Sequence, residues 1–311
     1  MADKKEKKGA KGKGTTDKGK PETKVEEPKE PEIPDGPRTY VVGGWSSIAA
    51  ISEATRIADP AIGDRVAVKA GMFDECVEIA KEGLHLKGVG NREAITLKKG
   101  VKASATTCSL SGVTVIGEVE VEKGNLALSD CAVAKGKHGV IIHATANPSI
   151  KNNTITDQTI AAVYAFPRSR GTVEGNQLVG TGAEQTVGVF ADDSSTVFKK
   201  NTISQQVTGI TVQGQCAGLL LQANNISDIG GTGIHFTKGA AATCKANTVE
   251  SCKYYGVLVE QAASPTLEKN TVSACPVAIK SGCKPVLKHN QFTGRLENAN
   301  EIVNEKLEPT Y

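Results

Sequence analysis

The chain has 311 residues, a formal net charge of +3, 33 glycines and only 4 % aromatic residues. That length holds one large domain or two ordinary ones. Near-balanced charge excludes a nucleic-acid footprint spread over the whole chain, and few rings with much glycine suit short strands and tight turns better than a helical core.

Residues 1–37 are low in complexity. Eight lysines against Asp3, Glu6 and Asp17 make the first twenty residues basic, and six acids against Lys24 and Lys29 make residues 21–35 acidic. Nothing apolar there offsets the cost of ordering the chain, so a disordered charged tail is predicted. Its plain role is to solubilise; its sharper role is an electrostatic arm for an acidic partner surface, such as a microtubule. No apolar run follows the charges of MADKKEKKGAKGKG, so no signal peptide is predicted. No stretch of about 18 apolar residues occurs, so no membrane span is expected. The expectation is a cytoplasmic protein, cytoskeletal or nuclear, not secreted, with its eight cysteines reduced.

From Tyr40, TYVVGG reads as a first strand. Ser46 or Ser47 is placed to N-cap a short helix with Ile48, Ile51, Ala54 and Ile57 on one face, ended by Asp59-Pro60. RVAVKAG, CVEIA and LHLKGVG follow as three short alternating strands.

The middle of the chain repeats. IKNNTI, VEGNQL, FKKNTI, LQANNI, CKANTV, LEKNTV and LKHNQF share an apolar residue, two others, Asn, one other and a second apolar residue. The asparagines fall at 153, 176, 201, 224, 247, 270 and 290. About nine residues after each comes a run such as AAVYAF, VGVFA, TGITV or TGIHF. A coil of about 23 residues holds two or three short strands and their turns, and stacking pairs each strand with its counterpart about 4.8 Å away. The Asn fits a sharp turn: it tolerates the left-handed conformation and can bond the same side chain in the next coil. Ile150, Val173, Phe198, Leu221, Cys244, Leu267 and Leu287 then form one inward column. Ile155, Leu178, Ile203, Ile226, Val249, Val272 and Phe292 form another. A leucine-rich repeat has a similar period, but it wants a further Leu two residues before the first, where this chain has Pro148, Gly171, Thr196, Leu219, Ala242, Pro265 and Pro285.

The stretch SSIAAISEATRIADPAIGDRVAVKAGMFDECVEI, followed by GLHLKGVG, resembles the opening of right-handed β-helix proteins of the pectin-lyase-like superfamily, with Phe73-Asp74-Glu75 as its aromatic-x-E. The N-x-[IV] repeats look like the carbohydrate-binding and sugar-hydrolase repeats of that superfamily. The resemblance covers about residues 40–295. It implies an all-β, single-stranded right-handed parallel β-helix of about nine to ten coils with an N-terminal capping helix. The expected layout is a tail over 1–37, the β-helix over 38–295, and a C-terminal cap or tail over 296–311, where ENANEIVNEKL reads as a short helix.

The resemblance leaves activity open, because the superfamily holds lyases, hydrolases, esterases, epimerases and non-enzymes. Hydrolases of this fold cluster carboxylates; here only fragments occur, at Asp157, Asp192-Asp193 and His235. Their phases within the coil differ, and Asp228, which shares the phase of Asp157, sits three coils away. That is about 14 Å, beyond the roughly 5–10 Å of paired glycosidase carboxylates. Asp192-Asp193-Ser-Ser reads as a solvated turn. Arg168 and Arg170, in FPRSRGT, read as a solvated loop or an anion contact. Cys252 and Cys275 share a phase and should stack as buried thiols. No catalytic residue, no metal ligand set and no cofactor is expected.

Alternation in the second repeat motif points Ile141, Tyr164, Phe190, Thr211, His235 and Leu258 outward on adjacent coils, with Ala278 after them. Such an apolar, aromatic stripe marks a partner-binding surface. The expected function is a non-enzymatic intracellular scaffold or adaptor that binds protein partners in a larger assembly, cytoskeletal or ciliary. The alternative is a polysaccharide-acting enzyme, lyase or hydrolase, or a carbohydrate-binding module whose rings stack on sugars.

Overall fold

The computed structural model describes residues 36–182, 185–297 and 303–305. The charged tail expected over 1–37 therefore lies, except for its last two residues, outside the described residues.

The described strands form three parallel sheets of 13, 11 and 11 strands. One coil shows the plan. Ser149–Lys151 belongs to the first sheet, Thr154–Thr156 to the second and Ala161–Ala165 to the third. Each pairs in parallel with its counterpart one coil on: Thr172–Glu174, Gln177–Val179 and Val187–Asp192. The result is a right-handed parallel β-helix of about eleven turns. The coil count exceeds the expected nine to ten because end coils such as Arg65–Val68, Gly71–Phe73 and Val77–Ile79 lack the repeat's Asn. The second half of each repeat is a strand, which excludes the leucine-rich alternative.

The two inward columns form as the pattern demands. Ile150, Val173, Phe198 and Leu221 are fully buried and in register, and so are Ile155, Leu178, Ile203 and Ile226. A third column, Val140, Val163, Val189, Ile210 and Ile234, closes the core from the third sheet. One coil has too little interior to exclude water alone, so burial depends on the coil above and below.

The Asn ladder runs inside the turn between the first and second sheets. Asn201 Nδ2 donates to Asn224 Oδ1 at 3.0 Å and to Val173 O at 2.9 Å, and the Asn201 amide N–H donates to Asn224 Oδ1 at 3.0 Å. The same contacts recur from Asn153 to Asn290. Cys131 stands at the head of the row and gives its amide N–H to Asn153 Oδ1 at 2.9 Å. The left-handed residue of the turn is not the Asn but the one before it: Asn152, Lys200, Ala223, Ala246, Lys269 and His289 have φ of 51–55°. The reversal completed there lets the next side chain point inward and along the stack, where both its oxygen and its amide find partners.

The helix forms at Ile51–Ile57, a turn later than expected, with Ala50 rather than Ser46 or Ser47 as the N-cap residue and no cap from its side chain. The cap comes from far away: Glu75 accepts from the Ile51 N–H at 2.7 Å and the Ser52 N–H at 3.0 Å. The carboxylate satisfies two orphan donors at the positive end of the helix. At the other end Lys81 Nζ donates to Arg56 O at 2.6 Å and Ala58 O at 2.7 Å. Ile51 and Ala54 are buried as expected, whereas Ile57 is exposed.

At the far end, Val303–Glu305 is a strand paired in parallel with Val286–Lys288, and Leu296–Glu297 extends the third sheet. The short helix expected in ENANEIVNEKL is therefore corrected at 303–305: the first sheet offers an open edge there, and a strand satisfies edge groups that a helix leaves unpaired. The remainder of that segment, 298–302 and 306–311, lies outside the described residues.

Candidate functional site

The third sheet carries the candidate site. Its register aligns Ile141, Tyr164, Phe190, Thr211, His235, Leu258 and Ala278 in one outward column. The strand enters its turn tightly, which is why Gly188, Gly209, Gly233 and Gly256 precede the inward residues: a Cβ on Gly209 would lie 2.5 Å from Gly233 O. Tyr164, Phe190, His235 and Leu258 are half-buried, while Ile141 and Thr211 retain 8 % exposure and Ala278 none. The column is thus half-exposed at Tyr164, Phe190, His235 and Leu258, with Thr211 sunk between them and Ile141 and Ala278 sunk at its two ends.

Neighbouring outward positions complete the site. Tyr164 stacks on Phe190 with centroids 5.0 Å apart and planes 9° off parallel. Phe166, two residues on, packs at 4.5 Å against Tyr164 and stacks at 5.0 Å on His143. His138 meets the edge of Tyr164 at 5.4 Å. Three phenyl or phenol rings and two imidazoles hold one another by offset and edge contacts. Phe166, His143 and His138 were not singled out by sequence reasoning. The signal that finds two of them is the same period of two, carried one step past Tyr164 and Ile141.

Each histidine on this face is held by a glutamate of an adjacent coil. His143 Nε2 lies 2.7 Å from Glu120 Oε1, His138 Nδ1 3.3 Å from Glu118 Oε1, and His235 Nε2 3.0 Å from Glu260 Oε1. Glu120 also pairs with Lys102 at 3.6 Å. Burial, then the nearby Asp192 carboxylate, pushes the Tyr164 phenol up from its ordinary value, so it stays protonated and able to donate.

The remaining sequence candidates fall as follows. Asp192 ends the strand Val187–Asp192 opposite Gln213, so only Asp193, with φ of 41°, is the turn residue expected of the pair. The reason is that the third-sheet strand is longer here than in earlier coils. Asp157 and Asp228 occupy left-handed turn positions with φ of 61° and 53°. Arg168 and Arg170 line a groove of about 650 Å³ on the turn that follows the third sheet. Cys252 and Cys275 do stack: the Cys252 amide N–H donates to Cys275 Sγ at 3.0 Å, and burial, then Cys275, holds the Cys252 thiol protonated.

These features define a right-handed parallel β-helix of the pectin-lyase-like kind with an aromatic outer face. The chain belongs to the family described as periplasmic copper-binding protein (NosD), whose model matches residues 77–242, just over half of it. A second model, described as right handed beta helix region, matches residues 181–306. Among solved structures, pectate lyase Pel9A superposes with a TM-score of 0.58 at 11 % identity, covering 88 % of this chain and 80 % of that one. The complex of XylC with xylose gives 0.58 at 10 % identity, over 80 % and 69 % of the two chains. The A-module of the Azotobacter vinelandii mannuronan C-5 epimerase AlgE4 gives 0.54 at 15 %, over 83 % and 92 %. At these identities the likeness establishes the fold. The family's periplasmic description overturns the cytoplasmic expectation, which rested on the lack of an apolar run after the first charges and of a long apolar stretch.

Proposed function

We propose that the protein binds a polysaccharide on the third sheet, its rings forming a platform for sugar faces. The observation that carries this reading is the ring row on adjacent coils, Tyr164 on Phe190 and Phe166 on His143, both pairs within 12° of parallel. A sugar ring presents an apolar face of axial C–H groups, and a half-exposed aromatic face desolvates it while flanking polar groups meet its hydroxyls. The half-buried Glu118, Glu120 and Glu260 beside the rings supply such acceptors. The same geometry offers a protein partner little aliphatic surface, because Ile141 and Ala278 are buried and only Leu258 of the column's aliphatic members is half-buried. Solved structures that share the fold, a pectate lyase and a mannuronan epimerase among them, support the polysaccharide reading.

Copper, named in the family's description, plays no part in this reading. Among the described residues no three His, Cys, Asp or Glu side chains stand within reach of one ion. His138, His143 and His235 each face a single glutamate, and seven of the eight thiols are buried. A copper site of soft or imidazole donors needs more ligands converging than these positions offer.

A second reading, that the same face turns its polysaccharide over, is favoured by one contact. His143 and Glu120, at 2.7 Å, form a proton-transfer pair at the edge of the platform. One experiment addresses both readings: full-length protein is titrated with pectins, alginates and glucans while products are followed chromatographically. Binding that weakens in Tyr164→Ala and Phe190→Ala is the expected result. Products that disappear in His143→Ala add the second reading; affinity unchanged in both ring variants refutes the first.

A further inference from the structure

Two grooves flank the ring platform, one at each end of its strands. The first, of about 520 Å³, lies on the turns that enter the third sheet and is lined by Lys98, Lys102, Lys135 and Lys137, with Glu118 and Glu120. Both glutamates are engaged, Glu118 by His138 and Glu120 by His143 and Lys102. Lys98, Lys135 and Lys137 are exposed and have no ion-pair partner among the described residues. The second groove, of about 650 Å³, lies on the turns that leave the sheet, where Arg168 and Arg170 stand among Asn147, Ser195 and Gln215. Asp193 is the one acid of its lining, and neither guanidinium has an ion pair among the described residues.

The geometry points to an acidic polysaccharide that crosses the strands obliquely, its anionic groups taken by the lysines at one edge and the arginines at the other. This rests on reading the third sheet as a glycan-binding face. The lysine groove spans the coils of residues 98–102, 116–120 and 135–137, and the arginine groove those of 145–147 through 215–217. The two are therefore offset along the stack, with Tyr164, Phe166 and His143 between them. A five-residue strand is about 16 Å long and each coil steps about 4.8 Å, so the path between the grooves is roughly 20 Å. That is the reach of a short run of sugar rings. Unpaired guanidinium and ammonium groups at both ends of an apolar platform match a chain that alternates ring faces with carboxylates or sulfates. A nucleic acid is the other polyanion of this reach, but the chain's net charge of only +3 is not the strongly basic balance of a nucleic-acid-binding domain.

The test uses the full chain, with polygalacturonate and alginate as probes beside their carboxyl-reduced counterparts. Lys135→Gln with Lys137→Gln removes charge from one groove, and Arg168→Gln with Arg170→Gln from the other. All four side chains are exposed, so the fold is retained. The expected result is binding of an acidic polymer that falls about tenfold in each double variant, as loss of roughly one charge-assisted contact implies. Added salt weakens that binding, and the reduced polymers bind weakly and equally in all forms. Equal affinity for acidic and reduced polymers, or acidic binding indifferent to either double variant, overturns the inference and leaves the glycan reading standing. Preference for single-stranded DNA over both acidic polymers also overturns it. Binding of none of the polymers removes the glycan reading itself.

Discussion

Replacing Asn224 by alanine removes the middle rung of the Asn ladder. Its Oδ1 accepts from both the amide N–H and Nδ2 of Asn201, and its Nδ2 donates to Phe198 O and Asn247 Oδ1, all at 2.9–3.0 Å. After the substitution the Asn201 N–H faces no acceptor. Asn201 Nδ2 keeps Val173 O, and Asn247 Oδ1 keeps the residue-224 amide N–H. One fully orphaned buried donor costs about 1–3 kcal/mol, and the weakened contacts and small void bring the total to about 2–4 kcal/mol. Asn225 is the internal control: it is the next residue, it points outward, and its side chain has no hydrogen-bond partner among the described residues. Asn225→Ala should stay within about 0.5 kcal/mol of the parent. Equilibrium urea unfolding followed by far-ultraviolet circular dichroism measures both. With a slope near 3 kcal/mol/M, the Asn224→Ala midpoint falls by about 1 M at unchanged slope. Equal midpoints for the two alanine variants would refute the claim that the ladder, rather than the turn, holds the coils in register.

Cys131→Asn should extend the ladder by one rung, since Cys131 Sγ already lies 3.9 Å from Leu110 O, where an amide nitrogen would donate; the same urea experiment should show a gain of about 1 kcal/mol, and a loss of that size counts against it. In the native protein a thiol reagent at pH 8 should modify only Cys76, which is exposed, while burial pushes Cys108 and Cys131 up to about 11 and Cys244 up to about 12; modification of more than one thiol before unfolding contradicts this. Burial alone would raise the Asp64 carboxyl, but the amide N–H groups of Asp59 and Arg38 and the Arg38 guanidinium outweigh it and hold the carboxyl at about 2. Because that value is lowered by folding, its stabilisation is present above about pH 4 and lost as the pH falls through 2, so Asp64→Asn should flatten acid unfolding in that window; an unchanged acid profile would exclude the assignment.

Why one face was legible and its chemistry was not follows from particular residues. Tyr164, Phe190 and His235 could be placed in one outward column from the sequence, because strand alternation and a coil of near-constant length dictate register without any long-range information. The two inward columns and the Asn stack follow for the same reason: a solenoid contact joins residues separated by one repeat. The left-handed residue was misplaced by one, since Asn tolerates that conformation in general and only the direction of its side chain shows that Lys200 or Ala223 must take it instead. Contacts that break the period were invisible. Glu75 caps a helix 23 and 24 residues earlier, outside the repeat, and Glu120 reaches His143 across coils whose turns differ in length. The repeat by itself determined the β-helix, its two inward columns and the Asn stack between them, because stacking is local and periodic, while the third sheet's place came from the structure. Only the tertiary structure decided that Ile141 and Thr211 sink while Tyr164, Phe166 and His143 make a platform, and that lysine and arginine grooves lie at its two edges. Exposure and electrostatic pairing depend on how long each turn is and where it carries its charges, and the turns are the part of the coil that does not repeat.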